Sequence, residues 1–226
     1  MAAYRTASRL FPGSHIPWLG IGMEYLRTNH LHLALQYIRQ AQEICPVEPL
    51  VLHELGVLHY LNGEYDEAVS YFVQVAENCR ERSRPPRRDA PPLGHIPQLS
   101  NQASACLLLA EEYDETVREP SIFNLGHAYR KKREFDNAAH WYRAALAINP
   151  RVASTYSALG FTLHLKGDLD AAIELYHQSL SLKPDDTFTC EMLSEALKDT
   201  LDVGDVNELG GSSAGPSRAS SAMDLF

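Results

Sequence analysis

The sequence predicts an all-α protein, a right-handed solenoid of antiparallel helix pairs. Three observations carry that expectation. Glycines recur at Gly22, Gly56, Gly126 and Gly160, spaced 34 residues apart within the first and the last pair. An alanine follows each at one fixed distance: Ala34, Ala68, Ala138 and Ala172. Prolines fall at a matching place in three of the four units, Pro46, Pro150 and Pro184. A 34-residue period is the length of one helix–turn–helix unit. Units of that kind bury a core between neighbours and leave a long concave face for other proteins.

Taking each glycine as residue eight puts the four units on one frame. Position four reads Trp18, Leu52, Ile122 and Tyr156; position seven reads Ile21, Leu55, Leu125 and Leu159; position twenty-four reads Ile38, Phe72, Tyr142 and Tyr176. These apolar groups follow the i, i+3, i+4 spacing of one helical face. A glycine inside a helix costs about 1 kcal/mol relative to alanine, so four in one register need a reason. The missing Cβ lets the second helix approach the first, with the alanine of position twenty facing it. Asn29, Gly63 and Gly167 hold position fifteen, where a left-handed residue ends a helix cheaply. Arg133 stands there in the third unit, so a corner of another kind is expected. The prolines of position thirty-two close the second helices, because proline cannot continue one.

The pattern is that of the tetratricopeptide repeat, and it resolves the chain into segments. Tyr4, Ala7 and Pro12 extend the frame backwards, so residues 1–12 read as the second helix of a truncated repeat. Residues 15–82 hold two repeats, and 119–186 hold two more. Cys190, Leu193, Ser194 and Leu197 begin a further first helix, expected as a cap over 187–200. Residues 83–118 are expected to be largely disordered: the first part mixes arginines with Pro85, Pro86, Pro91, Pro92 and Pro97, a composition that stays extended, while the second, Leu99 to Arg118, is left open to one irregular helix. That insertion is expected to be dispensable for folding, and the Gly- and Ser-rich stretch 201–226 to be a disordered tail.

The chain has 226 residues, 45% of them hydrophobic, and a formal charge of −9. The acidic balance argues against nonspecific nucleic-acid binding. No run of 18 apolar residues indicates a membrane span. Cys45, Cys79, Cys106 and Cys190 lack any CxxC spacing and read as buried or free thiols of a reducing compartment. His53, Glu54 and His59 resemble a zinc-protease helix only superficially, since a metal pair needs i, i+4 histidines and these stand six apart. His30 and His32 alone make a poor metal site. No phosphate loop or nucleophile elbow appears, so neither enzyme activity, metal nor cofactor is expected.

The inner wall remains. In a helix-pair solenoid it is lined by the first helices, here through Met23 and Arg27; His53, Glu54, Val57 and Tyr60; Phe123, Asn124, His127 and Arg130; Phe161 and His164; and Met192 and Glu195. Mixed aromatic and polar groups along a groove suit an extended or helical peptide. Asn124 offers a backbone both a donor and an acceptor. The bland reading of any one of these is packing against the next helix. A co-chaperone clamp for acidic tails is the rival function, but it needs converging cations. Position five supplies Leu19, His53, Phe123 and Ser157, with no lysine. The repeat region of a glycosyltransferase or phosphatase is a second rival, with no room left for a catalytic domain.

The wording around the repeats is more specific than the generic pattern. AYRTASRLFPGSHIPWLGIGMEYLRTNHLHLA, AQEICPVEPLVLHELGV, NLGHAYRK, STYSALGFTLHLKGDLDAAIELYHQSL and LKPDDTFTCEML resemble subunit 6 of the anaphase-promoting complex, the cell-division-cycle 16 family. The likeness covers nearly all of residues 2–82 and 119–200. It implies a non-catalytic scaffold of a ubiquitin ligase that acts in mitosis, truncated at its N-terminus, in nucleus and cytoplasm. It implies other repeat subunits as partners, and a small disordered assembly subunit in the groove around Asn124 and Phe161. It also implies a homodimer through repeats missing here, with no nucleic acid and no membrane.

Overall fold

The computed structural model describes residues 2–82 and 116–208 of the chain. The expected insertion over 83–115, Cys106 and the tail from 209 lie outside the described residues. Ten helices run through them, and they divide into two units, Met1–Lys132 and Arg133–Phe226. Unit 1 holds α1 (Ala2–Leu10), α2 (Ile16–Arg27), α3 (Leu31–Ile44), α4 (Pro49–Leu61), α5 (Tyr65–Arg82) and α6 (116–131). Unit 2 holds α7 (Phe135–Ile148), α8 (Ala153–Lys166), α9 (Leu169–Leu182) and α10 (Thr187–Glu208). The expected fold class, all-α and built of tetratricopeptide helix pairs, is the one observed.

The punctuation of the sequence sets the helix ends. α1, α3, α7 and α9 each stop two residues before a proline, at Leu10, Ile44, Ile148 and Leu182. α5 has Arg80 at the equivalent place and runs on to Arg82. Asn29, Gly63 and Gly167 take φ of 58°, 79° and 93°. After α2, the amide of Asn29 donates to Leu26 and that of His30 to Tyr25, both at 2.9 Å. Gly63 and Glu64 repeat this after α4, and Gly167 and Asp168 after α8. This double bond pattern satisfies carbonyls that a bare helix end would leave open.

Three expectations need correction. Arg133 does not make its corner another way: it takes φ of 62°, the same left-handed turn without glycine. The glycines of position eight accommodate chiefly the side chain of position twenty-four, and among the described residues the alanine of position twenty comes close only at Gly160, through the Ala172 carbonyl at 3.3 Å. A Cβ on Gly56 would lie 2.6 Å from the ring of Phe72, and one on Gly160 2.9 Å from that of Tyr176. The boundaries also move. Helix α6 already runs at 116, where the described residues resume inside the segment assigned to the insertion, and there Val117 packs with Leu52, Val75 and Cys79. Helix α10 continues to Glu208, eight residues past the expected end of the cap.

The core of unit 1 joins Leu19 of α2, Ala34, Ile38 and Ala41 of α3, and Val51, Leu55 and Leu58 of α4, with Trp18 and Tyr25 packed against it. In unit 2 Ala138, Tyr142, Leu159, Ala172, Tyr176 and Ala196 are buried.

Candidate functional site

In unit 1 the residues expected on the inner wall lie on the first helices α2, α4 and α6. His53, Glu54, Val57 and Tyr60 recur at i, i+1, i+4 and i+7 along α4. Phe123, Asn124, His127 and Arg130 do the same along α6, so each set shares one helical face. The two helices are tied directly. The hydroxyl of Ser121 donates to the carbonyl of Val117 at 2.7 Å, which leaves its oxygen to accept from Nδ1–H of His53, also at 2.7 Å. That assigns the His53 tautomer and leaves Nε2 as an acceptor.

Burial sets the charge of the row. His53 is pushed down to about 4 by desolvation. His127 falls to about 3, by burial first and then by the cations of Arg130 and Lys131. The guanidinium of Arg130 donates to Nδ1 of His127 at 3.1 Å, and Phe123 meets the His127 ring edge-on at 4.5 Å. Glu54 moves the opposite way, up to about 7, because burial disfavours its carboxylate. It has no hydrogen-bond or ion-pair partner among the described residues. Tyr60 is raised by burial, with Arg130 opposing. Near neutrality, then, both histidines are neutral, Glu54 is divided between its two forms, and buried Arg130 carries the fixed charge. Asn124 is half-buried and makes no hydrogen bond among the described residues. Such a row can exchange hydrogen bonds with a peptide backbone while desolvating few charges. Met23 and Arg27 of α2 are exposed, and Arg27 pairs with Glu24 at 2.5 Å, a surface contact of little energetic weight.

Unit 2 is different. Phe161, His164 and Met192 are buried, at 4%, 6% and 7% exposure. Phe161 meets Phe188 of α10 edge-on at 5.8 Å. His164 lies 3.0 Å through Nε2 from the carboxylate of Asp199 and 3.4 Å through Nδ1 from the Tyr176 hydroxyl. These side chains hold α10 in place and offer little surface to a ligand. Glu195 is half-buried on α10.

Three residues of the site were not singled out by sequence reasoning: Ser121, Thr189 and Asp199. The frame holds a signal for two of them. Position five of one first helix meets position three of the next in His53–Ser121 and in Ser157–Thr189, the latter at 2.8 Å. Leu19 and Val51 occupy the same positions and share a hydrophobic cluster. Among the described residues no three of His, Cys, Asp and Glu are grouped to hold a metal ion. No described helix is long and apolar enough to cross a membrane.

Comparison with known proteins agrees with this architecture. Profiles described as tetratricopeptide repeat match residues 17–48, 51–86 and 156–186, and one described as TPR repeat matches 126–167. Together they take in more than half of the chain. Anaphase-promoting complex subunit 6 of Arabidopsis thaliana is 44% identical over 204 residues, covering 90% of this chain and 32% of that protein. The subunit 6 of Dictyostelium discoideum is 40% identical over 235 residues, covering 87% and 27%. The crystal structure of the APC/C hetero-tetramer Cut9–Hcn1 superposes with a TM-score of 0.66 at 26% identity, over 87% of this chain and 32% of that one. The chain thus spans about a third or less of the length of these relatives. With helix pairs, left-handed corners and glycine seats all in register, the chain belongs to the tetratricopeptide-repeat family, and within it is a relative of subunit 6 of the anaphase-promoting complex.

Proposed function

We propose that this chain works as a non-catalytic scaffold of the anaphase-promoting complex, binding partner subunits through the inner and lateral faces of its repeats. In that role it supports cell-cycle-dependent ubiquitination while the transfer of ubiquitin belongs to other subunits, in nucleus and cytoplasm. One observation carries the reading: the subunit 6 relatives align over about nine-tenths of the chain, on a fold whose first helices in unit 1 carry two neutral histidines and other hydrogen-bonding groups beside one buried arginine. The hetero-tetrameric assembly of the solved relative supports partnership with other subunits. A small disordered assembly subunit in the groove, and a homodimer, are the finer forms of the same proposal.

Asn124 is the residue on which the groove reading turns. Its amide is half-buried and lacks an internal partner among the described residues, so a bound backbone can satisfy both its donor and its acceptor. Asn124→Ala is expected to weaken binding of an assembly-subunit peptide by about 1 kcal/mol or more, measured by calorimetry. The fold should be unaffected, because the side chain supports nothing else. Capture from mitotic extract with mass-spectrometric identification tests the wider role. Recovery of chaperones without ligase subunits would reject it.

A further inference from the structure

We propose that occupation of the face shared by α4 and α6 is coupled to uptake of a proton: Glu54, in its acid form, donates to a carbonyl of the bound segment, which meets this face with uncharged groups. The inference rests on the groove reading above and adds the state of charge that the site adopts when filled.

Two contacts bracket this face. At one end His53 of α4 bonds Ser121 of α6 at 2.7 Å. At the other, Arg130 of α6 acts on the ionisation of Tyr60 of α4. Along the helices between them stand Glu54 and Val57 on α4, and Asn124 and His127 on α6. Glu54 and Asn124 hold the same repeat position, six, on the two tied helices. Both are half-buried, and neither has a hydrogen-bond or ion-pair partner among the described residues. The other two units place small residues there, Gly20 and Ala158. A carboxyl and a carboxamide thus stand at one level with their hydrogen-bonding capacity unused.

An unpartnered carboxyl can meet an incoming chain in two ways. Ionised, it needs a cation, and the two charges would lose water together, a cost that often exceeds the Coulombic gain. Buried Arg130 already places a positive charge on this face. In the acid form the carboxyl donates its O–H to a backbone carbonyl, and no ion is desolvated. An occupant also removes the water left around Glu54, which favours the neutral form further. Burial has already raised this carboxyl to about 7. Near neutrality the proton is therefore half in place, and binding draws the remainder from solvent.

The charges on the neighbouring helices are engaged elsewhere. Glu24 and Arg27 of α2 pair with each other. Asp66 of α5 pairs with Lys132 of α6, and His59 of α4 with Glu64. Arg39 and Glu43 of α3 and Glu67 and Glu77 of α5 are exposed. Arg130 and Lys131 of α6 act on His127, whereas burial is the cause at Glu54. Glu119 of α6 is also raised by burial, so a variant at each carboxyl is needed to tell them apart.

Calorimetry of the full chain with an assembly-subunit peptide tests the coupling, in buffers of different ionisation heat and from about pH 6 to 8.5. Uptake of about half a proton is expected at pH 7, with affinity falling about fivefold between pH 7 and 8. Glu54→Gln, its fold checked by circular dichroism, should still bind but lose both the uptake and the pH dependence attributable to this site. Glu119→Gln should keep both, and Asn124→Ala should bind more weakly with the coupling intact. Proton release, with affinity rising with pH, would mean that a cation meets ionised Glu54 and would overturn the proposal. Binding without proton exchange, or exchange unchanged in Glu54→Gln, would overturn it and leave the groove reading standing. A peptide that fails to bind at every pH would reject the groove reading, and the coupling with it.

Discussion

Arg133 shows how a single backbone angle can be read twice. Its φ of 62° matches that of Asn29, Gly63 and Gly167 at the equivalent corners, yet its Cβ makes the left-handed region costly. Arg133→Gly should therefore raise stability by about 1 kcal/mol, less whatever glycine adds to the freedom of the unfolded chain. Gly63→Ala should lower it by about the same amount. A Cβ there would meet nothing within 4 Å, so its cost is backbone strain alone. Urea midpoints at unchanged m-value are the measurement. Two shifts of the same sign would rule out the shared corner.

At the scale of the helix pair, the seat under position twenty-four decides how closely two helices pack. Gly56→Ala sets two effects against each other. Alanine improves helix propensity by about 1 kcal/mol, while overpacking a filled core costs about 1–3 kcal/mol. The added Cβ would lie 2.6 Å from the ring of fully buried Phe72, which has no room to retreat. Overpacking should win, with a net loss of about 1 kcal/mol. Adding Phe72→Leu should recover part of it, and the double-mutant cycle measures the coupling. These pairs were legible in the sequence as a repeating glycine and a bulky residue sixteen positions on. Which residue filled the glycine's space was not, because periodicity ranks positions by face and says nothing about which facing side chain is longest. Proline marks likewise gave the ends of α3, α7 and α9. The ends of α5 and α10 carry no such mark, and there propensity and packing carry the helix on.

For the molecule as a whole, periodicity put the expected residues on shared helical faces but said nothing of their electrostatics, which depend on burial that no repeat frame encodes. His53 and Glu54 are neighbours in the chain and move in opposite directions for one reason: each loses water, and each then favours its neutral form. Their effects on stability oppose. Between about pH 4 and 6.5 the unfolded His53 binds a proton that the folded one refuses, so stability rises with pH; His127 acts alike from about 3. Glu54 keeps its proton in the folded state up to about 7 but loses it near 4.5 when unfolded, so its contribution falls across that interval. Two rising terms exceed one falling term, so these groups give stability a rising acid limb that levels off near neutrality. His53→Gln should flatten that limb, with the carboxamide able to keep a bond to Ser121. Glu54→Gln should steepen it and stabilise the protein at pH 8 far more than at pH 4, since only the ionised carboxylate is penalised by burial. Thermal melts of both variants across this range provide the test. Equal stabilisation by Glu54→Gln at both ends would mean that the carboxylate stays hydrated, and burial could not be what raises Glu54.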